Sequence, residues 1–434
     1  MGGRVVLNKT VLSSQPVYLF SLLKAPKTVI NRMEGIQRRF IWSGNSDSAK
    51  APLVSWERCK APRSQGGLGI TDLASFNEAM LSKWHWRYAN ESNRWWKTLI
   101  SHKYPNTHSL WYPNRCNNGF ANSAWANISK VHDQFWNSTC IDPGSGAWCS
   151  FWHDVWIPNT CLAANFPRVA AAASDPEARI SDVRNGNVEG NHWDFHLNIM
   201  LRGGAERELC SLIDFLDRHA TNRVSSGPSR PVWLPDPDNA FSVHSMYRTL
   251  VKNKFQGDPN FPAKSIWKHV IPSKICIFLW LTTLKRIQTL DNLKRKGWSI
   301  ANRCALCEKE EESVDHLFIK CDYGKEVWYK CRMACPSIAN TSEDIFSTVR
   351  DWKSSTPNNI NEWINFCALH AITWQLWLER NRRIFQEASQ NPTTVARKAF
   401  NLMIEWPTAM GKITKEEGQK WLHDQSTRAH LNAP

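Results

Sequence analysis

CALCEKEEESVDHLFIKC, residues 304–321, carries three cysteines and one histidine in the order Cys304-x2-Cys307-x8-His316-x4-Cys321. A CxxC turn lets two thiolates meet one cation from a single knuckle. A histidine and a cysteine five residues apart can close the tetrahedron from the two ends of a helical turn. Three sulfurs and one imidazole nitrogen suit zinc, which has no redox chemistry and accepts tetrahedral S/N ligation. Cys304, Cys307, His316 and Cys321 therefore predict a zinc site. With all four positions filled by protein the site is structural, since none is left for a reacting water. A redox CxxC pair is the competing reading, but no βαβ pattern surrounds it. Cys331 and Cys335 follow closely and read as core residues of the next helix.

Working outward, Lys264–Arg303 is helical in pattern and strongly basic, with 9 Lys+Arg against one Asp. Ile275–Leu284 predicts a buried helix, and Leu284–Trp298 a second, basic one. Lys285, Arg286, Lys294, Arg295, Lys296 and Arg303 are the candidate phosphate contacts, because a metal knuckle beginning at Cys304 would hold them rigid. The knuckle's own loop is acidic (Glu308, Glu310, Glu311, Glu312 and Asp315) and is expected to repel phosphate. Downstream, the apolar spacing predicts helices over Trp363–Phe385 and Thr394–Trp406, then a polar tail from Gly411 that frays.

Upstream, residues 1–110 carry 16 Lys+Arg against 6 Asp+Glu. Helices are predicted over Lys27–Trp42 and Leu73–Asn90, with a tight turn at Gly66–Gly69 that no Gly-Lys-Ser/Thr follows as in a phosphate loop. Residues 111–240 are rich in Asn, Gly, Pro and Ser and read as irregular structure with short strands. Trp148–Trp156 predicts a strand or hairpin, Trp233–Val243 a strand–turn–strand, and Ser245 a helix cap. The fold class expected is mainly α with minor β-hairpins, in several units, with a small zinc-stapled helical module. The expected divisions are a basic helical region at 1–110, an irregular linker at 111–240, the zinc module at 241–336 and a helical C-terminal region at 337–434.

The whole chain of 434 residues has 54 Lys+Arg and 39 Asp+Glu, a formal charge of +15. Such a field attracts polyanions, RNA or DNA before an anionic membrane. The 24 tryptophans argue for a folded chain, and the 13 cysteines are scattered rather than framed as in small secreted scaffolds. With no signal-peptide pattern and no membrane-length apolar run, the expectation is an intracellular protein, nuclear or cytoplasmic, without a membrane partner. Lys83-Trp84-His85-Trp86-Arg87 and Arg94-Trp95-Trp96-Lys97 interleave bases with aromatics, which fits either base stacking or a core flanked by solvated cations. Catalysis finds no support: there is no Asp-Asp pair for two-metal chemistry, no HExxH and no GxSxG. His85, His153 and His370 read as buried, satisfied histidines.

These residues together resemble the C-terminal part of plant non-LTR (LINE-type) retrotransposon reverse transcriptases. Leu12–Tyr18, Phe40–Gly44, Trp56, Gly66–Ile70 and Lys83–Arg87 are similar to the thumb region that follows the polymerase palm. Phe151–Trp156 matches a recurrent aromatic segment. Phe241–Tyr247, Trp267, Pro272–Lys274, Phe278, Trp280 and the four metal ligands resemble the reverse-transcriptase zinc-binding domain, and Trp374, Trp377, Arg380-Asn381 and Phe385 the helix after it. The resemblance implies that the catalytic aspartates belong to a palm upstream of these residues. It carries over the zinc ligands but no polymerase, endonuclease or ribonuclease H activity. The expected function is zinc and nucleic-acid binding without enzymatic activity, with RNA or DNA, or a palm supplied in trans, as partner. A zinc-stabilised protein–protein module, or a fragment with no independent function, is the alternative.

Overall fold

The computed structural model of the protein describes all residues outside 45–49, 107, 115–122, 186–191, 199–201, 221–223, 225–226, 353–355 and 432–434, and all side chains but those of 185, 192 and 425–431 as well. Helix dominates, as expected, and among the described residues the strands form two antiparallel pairs. The chain divides into two compact units, Met1–Leu12 with Gly35–Thr71 and Phe255–Pro434, and Ser13–Glu34 with Asp72–Lys254. Residues 1–110 are thus shared between both units, where one N-terminal region was expected.

In the first unit the Ser273–Thr283 helix is buried on every side from Ile275 onward, as a helix that is apolar all round must be. It packs against the Ile360–Gln386 helix and the N-terminal Gly2–Leu7 helix. The Gly66–Gly69 turn sits over its middle, where the Trp280 indole donates to the Gly66 carbonyl at 2.9 Å. Only glycine fits at 67, where a Cβ would lie 1.9 Å from the Ala61 carbonyl oxygen.

The single helix expected over Leu284–Trp298 is broken. Lys285 takes a positive φ of 54°, and the Asn292 side chain donates to the carbonyls of Lys285 and Ile287. Those bonds hold a turn, and helix resumes only over Leu290–Arg295. The expected helix at Trp363–Phe385 spans Ile360–Gln386, with Asn359 as its cap, and packs along Pro392–Ala409. The tail does not begin frayed: a helix covers Lys415–Leu431. Thr414 Oγ accepts from Glu417 N–H and the Glu417 carboxylate accepts from Thr414 N–H, a capping box. Residues 432–434 of that tail lie outside the described residues.

The second unit has an aromatic core in which Phe135, Phe151, Trp152, Trp156 and Trp233 are fully buried. The expected linker is therefore a packed region. Trp148–Trp156 forms successive turns rather than a strand, with Trp148 outward and the other aromatics inward. Thr139–Asp142 pairs with Arg230–Trp233, Thr139 opposite Trp233. Trp233 thus finds a partner far back in the chain, and no second strand follows it. Ser242 caps the Val243–Lys254 helix through Ser245 N–H, and Ser245 Oγ accepts from Ser242 N–H in return. Ser245 was the expected cap and is instead the third helical residue. An amphipathic helix, Gly204–His219, burying Leu212 and Leu216, lies in the region read as irregular.

His85 and His370 are both buried, each bonded through Nε2 to a carbonyl, of Ile128 and of Ile266, at 3.0 Å. Burial pushes both down to about 3. The unfolded chain takes up a proton at each below about 6.5 while the folded chain does not, so their stabilisation is complete above that pH and lost as pH falls from 6.5 towards 3. Lowering the pH from 7 to 5 is expected to cost about 2 kcal/mol for each such histidine. Urea midpoints at the two pH values check this, and His85→Gln should shrink the difference; an equal pH response in that variant would refute the assignment.

Candidate metal centre

Cys304 and Cys307 sit on a turn in which Cys304 N–H donates to the Glu310 carbonyl and Glu308 N–H to the Cys304 carbonyl. The Arg383 guanidinium, from the Ile360–Gln386 helix, donates to the carbonyls of Ala305 and Leu306 inside the knuckle. His316 opens a short π-helical segment, His316–Lys320. A residue five on in an α-helix is turned by about 140° from the first. Here Cys321 N–H bonds back to the His316 carbonyl at 2.7 Å, and that wider turn brings His316 and Cys321 to one side. Cys321 then stands at the N-cap of the Asp322–Ala334 helix, where free N–H groups favour a thiolate.

The four ligand atoms lie within 4.8 Å of one another. Cys304 Sγ and Cys321 Sγ are 3.9 Å apart, and Cys307 Sγ and His316 Nε2 are 3.3 Å apart. A tetrahedral zinc with ordinary bond lengths needs edges of about 3.8 Å between two sulfurs and about 3.5 Å between sulfur and nitrogen. The donor set fits such an ion. His316 Nδ1 lies 3.0 Å from a Glu310 carboxylate oxygen, which fixes the tautomer and presents Nε2 to the centre, as the outer partners of metal-bound histidines do. Cys304, His316 and Cys321 are buried and Cys307 is half-buried. Backbone N–H groups of Tyr323 and Gly324 reach the Cys321 sulfur, and those of Leu306 and Cys307 the Cys304 sulfur. The hydrogen bond between the two thiols pushes Cys304 up and Cys321 down. Cys331 stands apart, pushed up to about 12 by burial, and Cys335 bonds Ser337.

The acidic loop is divided: Glu308, Glu310 and Glu311 are exposed, while Glu312 and Asp315 are turned to partners within the chain. Glu312 is buried and paired with Arg380, at 3.1 Å through Nε and 2.7 Å through Nη2. The same carboxylate accepts from Leu290 N–H at 2.9 Å, tying the knuckle loop to the basic helix. Glu310 holds His316, and Asp315 pairs with Lys285 and accepts from Ile345 N–H. Sequence spacing could not reveal Glu312 with Arg380, since 68 positions separate them.

Of the six candidate phosphate contacts, three have partners within the chain: Lys285 with Asp315, Arg295 with Asp291, and Arg303 with the Glu308 carbonyl. Arg286, Lys294 and Lys296 are exposed. Gly297 takes a φ of 87°, its N–H bonds the Lys294 carbonyl, and Trp298 N–H bonds the Leu293 carbonyl. These bonds make a Schellman close to the helix, and Trp298 beyond it is 62% exposed. By contrast, Trp84 and Trp96 pack edge to face, with Arg87 over the Trp84 ring and its guanidinium on Glu91. Trp86 stacks on Phe241. Those rings serve the core, and Trp95 is the exposed member of that block.

A mainly helical region stapled by a Cys3His cluster is the architecture expected of a zinc-binding module of reverse transcriptase. Residues 241–328 match the family described as zinc-binding in reverse transcriptase. An Arabidopsis thaliana protein provisionally named a ribonuclease H protein is 27% identical over 76% of this chain and 52% of its own length. An uncharacterised mitochondrial protein of the same plant is 28% identical over 33% of this chain and 92% of its own. The chain thus spans about half the length of the first of these relatives. Among the described residues no helix is long and apolar enough to cross a membrane.

Proposed function

We propose that this chain is a retroelement-derived nucleic-acid-binding region, in which a structural zinc at Cys304, Cys307, His316 and Cys321 orders a basic, aromatic-bearing surface for RNA or DNA. One observation carries the reading. Arg286, Lys294 and Lys296 are exposed beside an exposed Trp298, on a turn and short helix that Glu312 fastens to the metal loop. Cations grip phosphate regardless of sequence, and an exposed indole offers a stacking face to an unpaired base. The chain binds and holds, and the polymerase chemistry of the element belongs to a palm. The alternative, a zinc-stabilised protein–protein module whose acidic loop meets a basic partner, keeps Glu308, Glu310 and Glu311 exposed for it, while Glu312 and Asp315 are paired within the chain.

Replacing Arg286, Lys294 and Lys296 together with alanine is expected to weaken nucleic-acid binding and flatten its log–log salt slope by about 2–3. Zinc content should stay unchanged. Titrations of the parent and triple variant at two salt concentrations, on duplex DNA and single-stranded RNA, decide the matter. Unaltered affinity and slope would return these side chains to the role of a solvated face. Single Lys285→Ala should instead report on folding, because its ammonium is held by Asp315.

A further inference from the structure

The second unit contains a cluster that the zinc module does not explain. Asp154 is buried and accepts from Ser109 Oγ at 2.5 Å and from Ser150 N–H at 2.8 Å. Joining Ser109 to Asp154 brings the residues before them, His108 and His153, ring to ring with centroids 4.5 Å apart. Phe151 N–H donates to the Ala178 carbonyl and Ile180 N–H to the Cys149 carbonyl, which lays Glu177 beside the same rings. His108 Nδ1 lies 2.5 Å from a Glu177 carboxylate oxygen. One ligand atom from each of His108, His153 and Glu177 falls within 4.8 Å of the other two.

None of His85, His153 and His370 is fully satisfied as expected: Nδ1 of His85 and of His370 has no hydrogen-bond partner. The Nε2 of His153 is likewise enclosed and has no hydrogen-bond partner, and the Pro176 carbonyl lies near the ring. A proton on Nδ1 leaves the Nε2 lone pair bare, which is the form in which imidazole binds a metal. An enclosed polar atom without a partner is costly and calls for an explanation. An unpartnered nitrogen alone does not call for a cation, since His85 and His370 carry one too; its convergence with His108 and Glu177 is what points to a shared ion.

We propose that His108, His153 and Glu177 bind a divalent transition-metal ion of the zinc type through two imidazole nitrogens and one carboxylate oxygen. Two histidines and a glutamate are a known zinc-binding set that leaves a coordination position to solvent. The side chains of His108 and Glu177 are 53% and 39% exposed, so the ion has an entry path. They can also part from hydrogen-bond distance to the edge of about 3.3 Å that a tetrahedral ion needs. Lacking thiolates, this site is the weaker of the two and is filled after the Cys3His centre.

Equilibrium dialysis of the full chain against zinc, with metal counted by atomic emission, tests the assignment. The parent should hold one more zinc ion per chain than either His108→Ala or Glu177→Ala. In cobalt-loaded samples both variants should keep the sulfur-to-cobalt charge-transfer absorption of the cysteine site undiminished, and their near-ultraviolet circular dichroism, which reports the buried tryptophans of the second unit, should match the parent's, showing that centre and the mutated unit both intact. Equal zinc content in the parent and both variants would overturn the proposal and leave His108 and Glu177 as an ion pair only.

Discussion

Cys304→Ser is expected to strip the zinc and melt the knuckle together with the elements it fastens. A structural zinc contributes folding free energy directly, on the order of 10 kcal/mol in small zinc modules at neutral pH, because the site is not preformed in the unfolded chain. Here the loss propagates along named bonds. Glu310 accepts from Cys304 N–H and holds His316, Arg383 holds the knuckle carbonyls, and Cys321 begins the Asp322–Ala334 helix. Chelation of the parent should reproduce the variant, and both should show a lowered unfolding midpoint and lost nucleic-acid affinity. Cys331→Ser is the control: that thiol is buried in the same helix but stands outside the cluster, so its zinc content should match the parent's. A chelated parent that unfolds at its original midpoint would refute a structural role for the metal.

Arg380→Ala is expected to destabilise the protein by about 3–5 kcal/mol, as removal of one partner from a buried ion pair does. The side chains of Arg380 and Glu312 are 4% and 0% exposed, so truncation leaves a carboxylate charge in the core with only Leu290 N–H to meet it. The guanidinium also lies over the Trp377 ring, and that packing is lost as well. Arg380→Met combined with Glu312→Leu should cost less than the sum of the two single changes, since replacing both charges removes the desolvation penalty along with the attraction. Urea titrations of the four proteins give the coupling. A single-variant loss below about 1 kcal/mol would mean that water reaches the pair.

Local chemistry was enough to read much of this protein from its sequence. The helices at Lys27–Trp42 and Leu73–Asn90 follow from apolar residues repeating along one face, a pattern carried within a few turns. The Cys3His set was legible because its ligands lie within 18 residues, 304–321, and thiolate and imidazole have few other reasons to gather at that spacing. Some local signals were present and passed over, such as the Thr414–Glu417 capping box and the apolar stripe of Gly204–His219. In the middle of the chain the abundance of Asn, Gly and Pro suggested disorderly structure and hid a core built from few, very large side chains.

Only the tertiary structure decided which charges and which aromatics are free. Lys285 and Arg286 are neighbours in sequence, yet Lys285 is held by Asp315 from 30 positions away while Arg286 faces solvent. Trp148 and Trp152 are four apart and lie on opposite sides of the core boundary, because Asp154 and its hydrogen bonds curl the segment that strand periodicity would have kept straight. His108 and His153 meet through a serine–aspartate bond across 45 positions, and backbone bonds from Phe151 and Ile180 bring Glu177 beside them. Side-chain type and short spacing are properties of the sequence, but pairing across long loops depends on where closure places each backbone. That is why the Cys3His cluster could be read from the sequence and its neighbours could not.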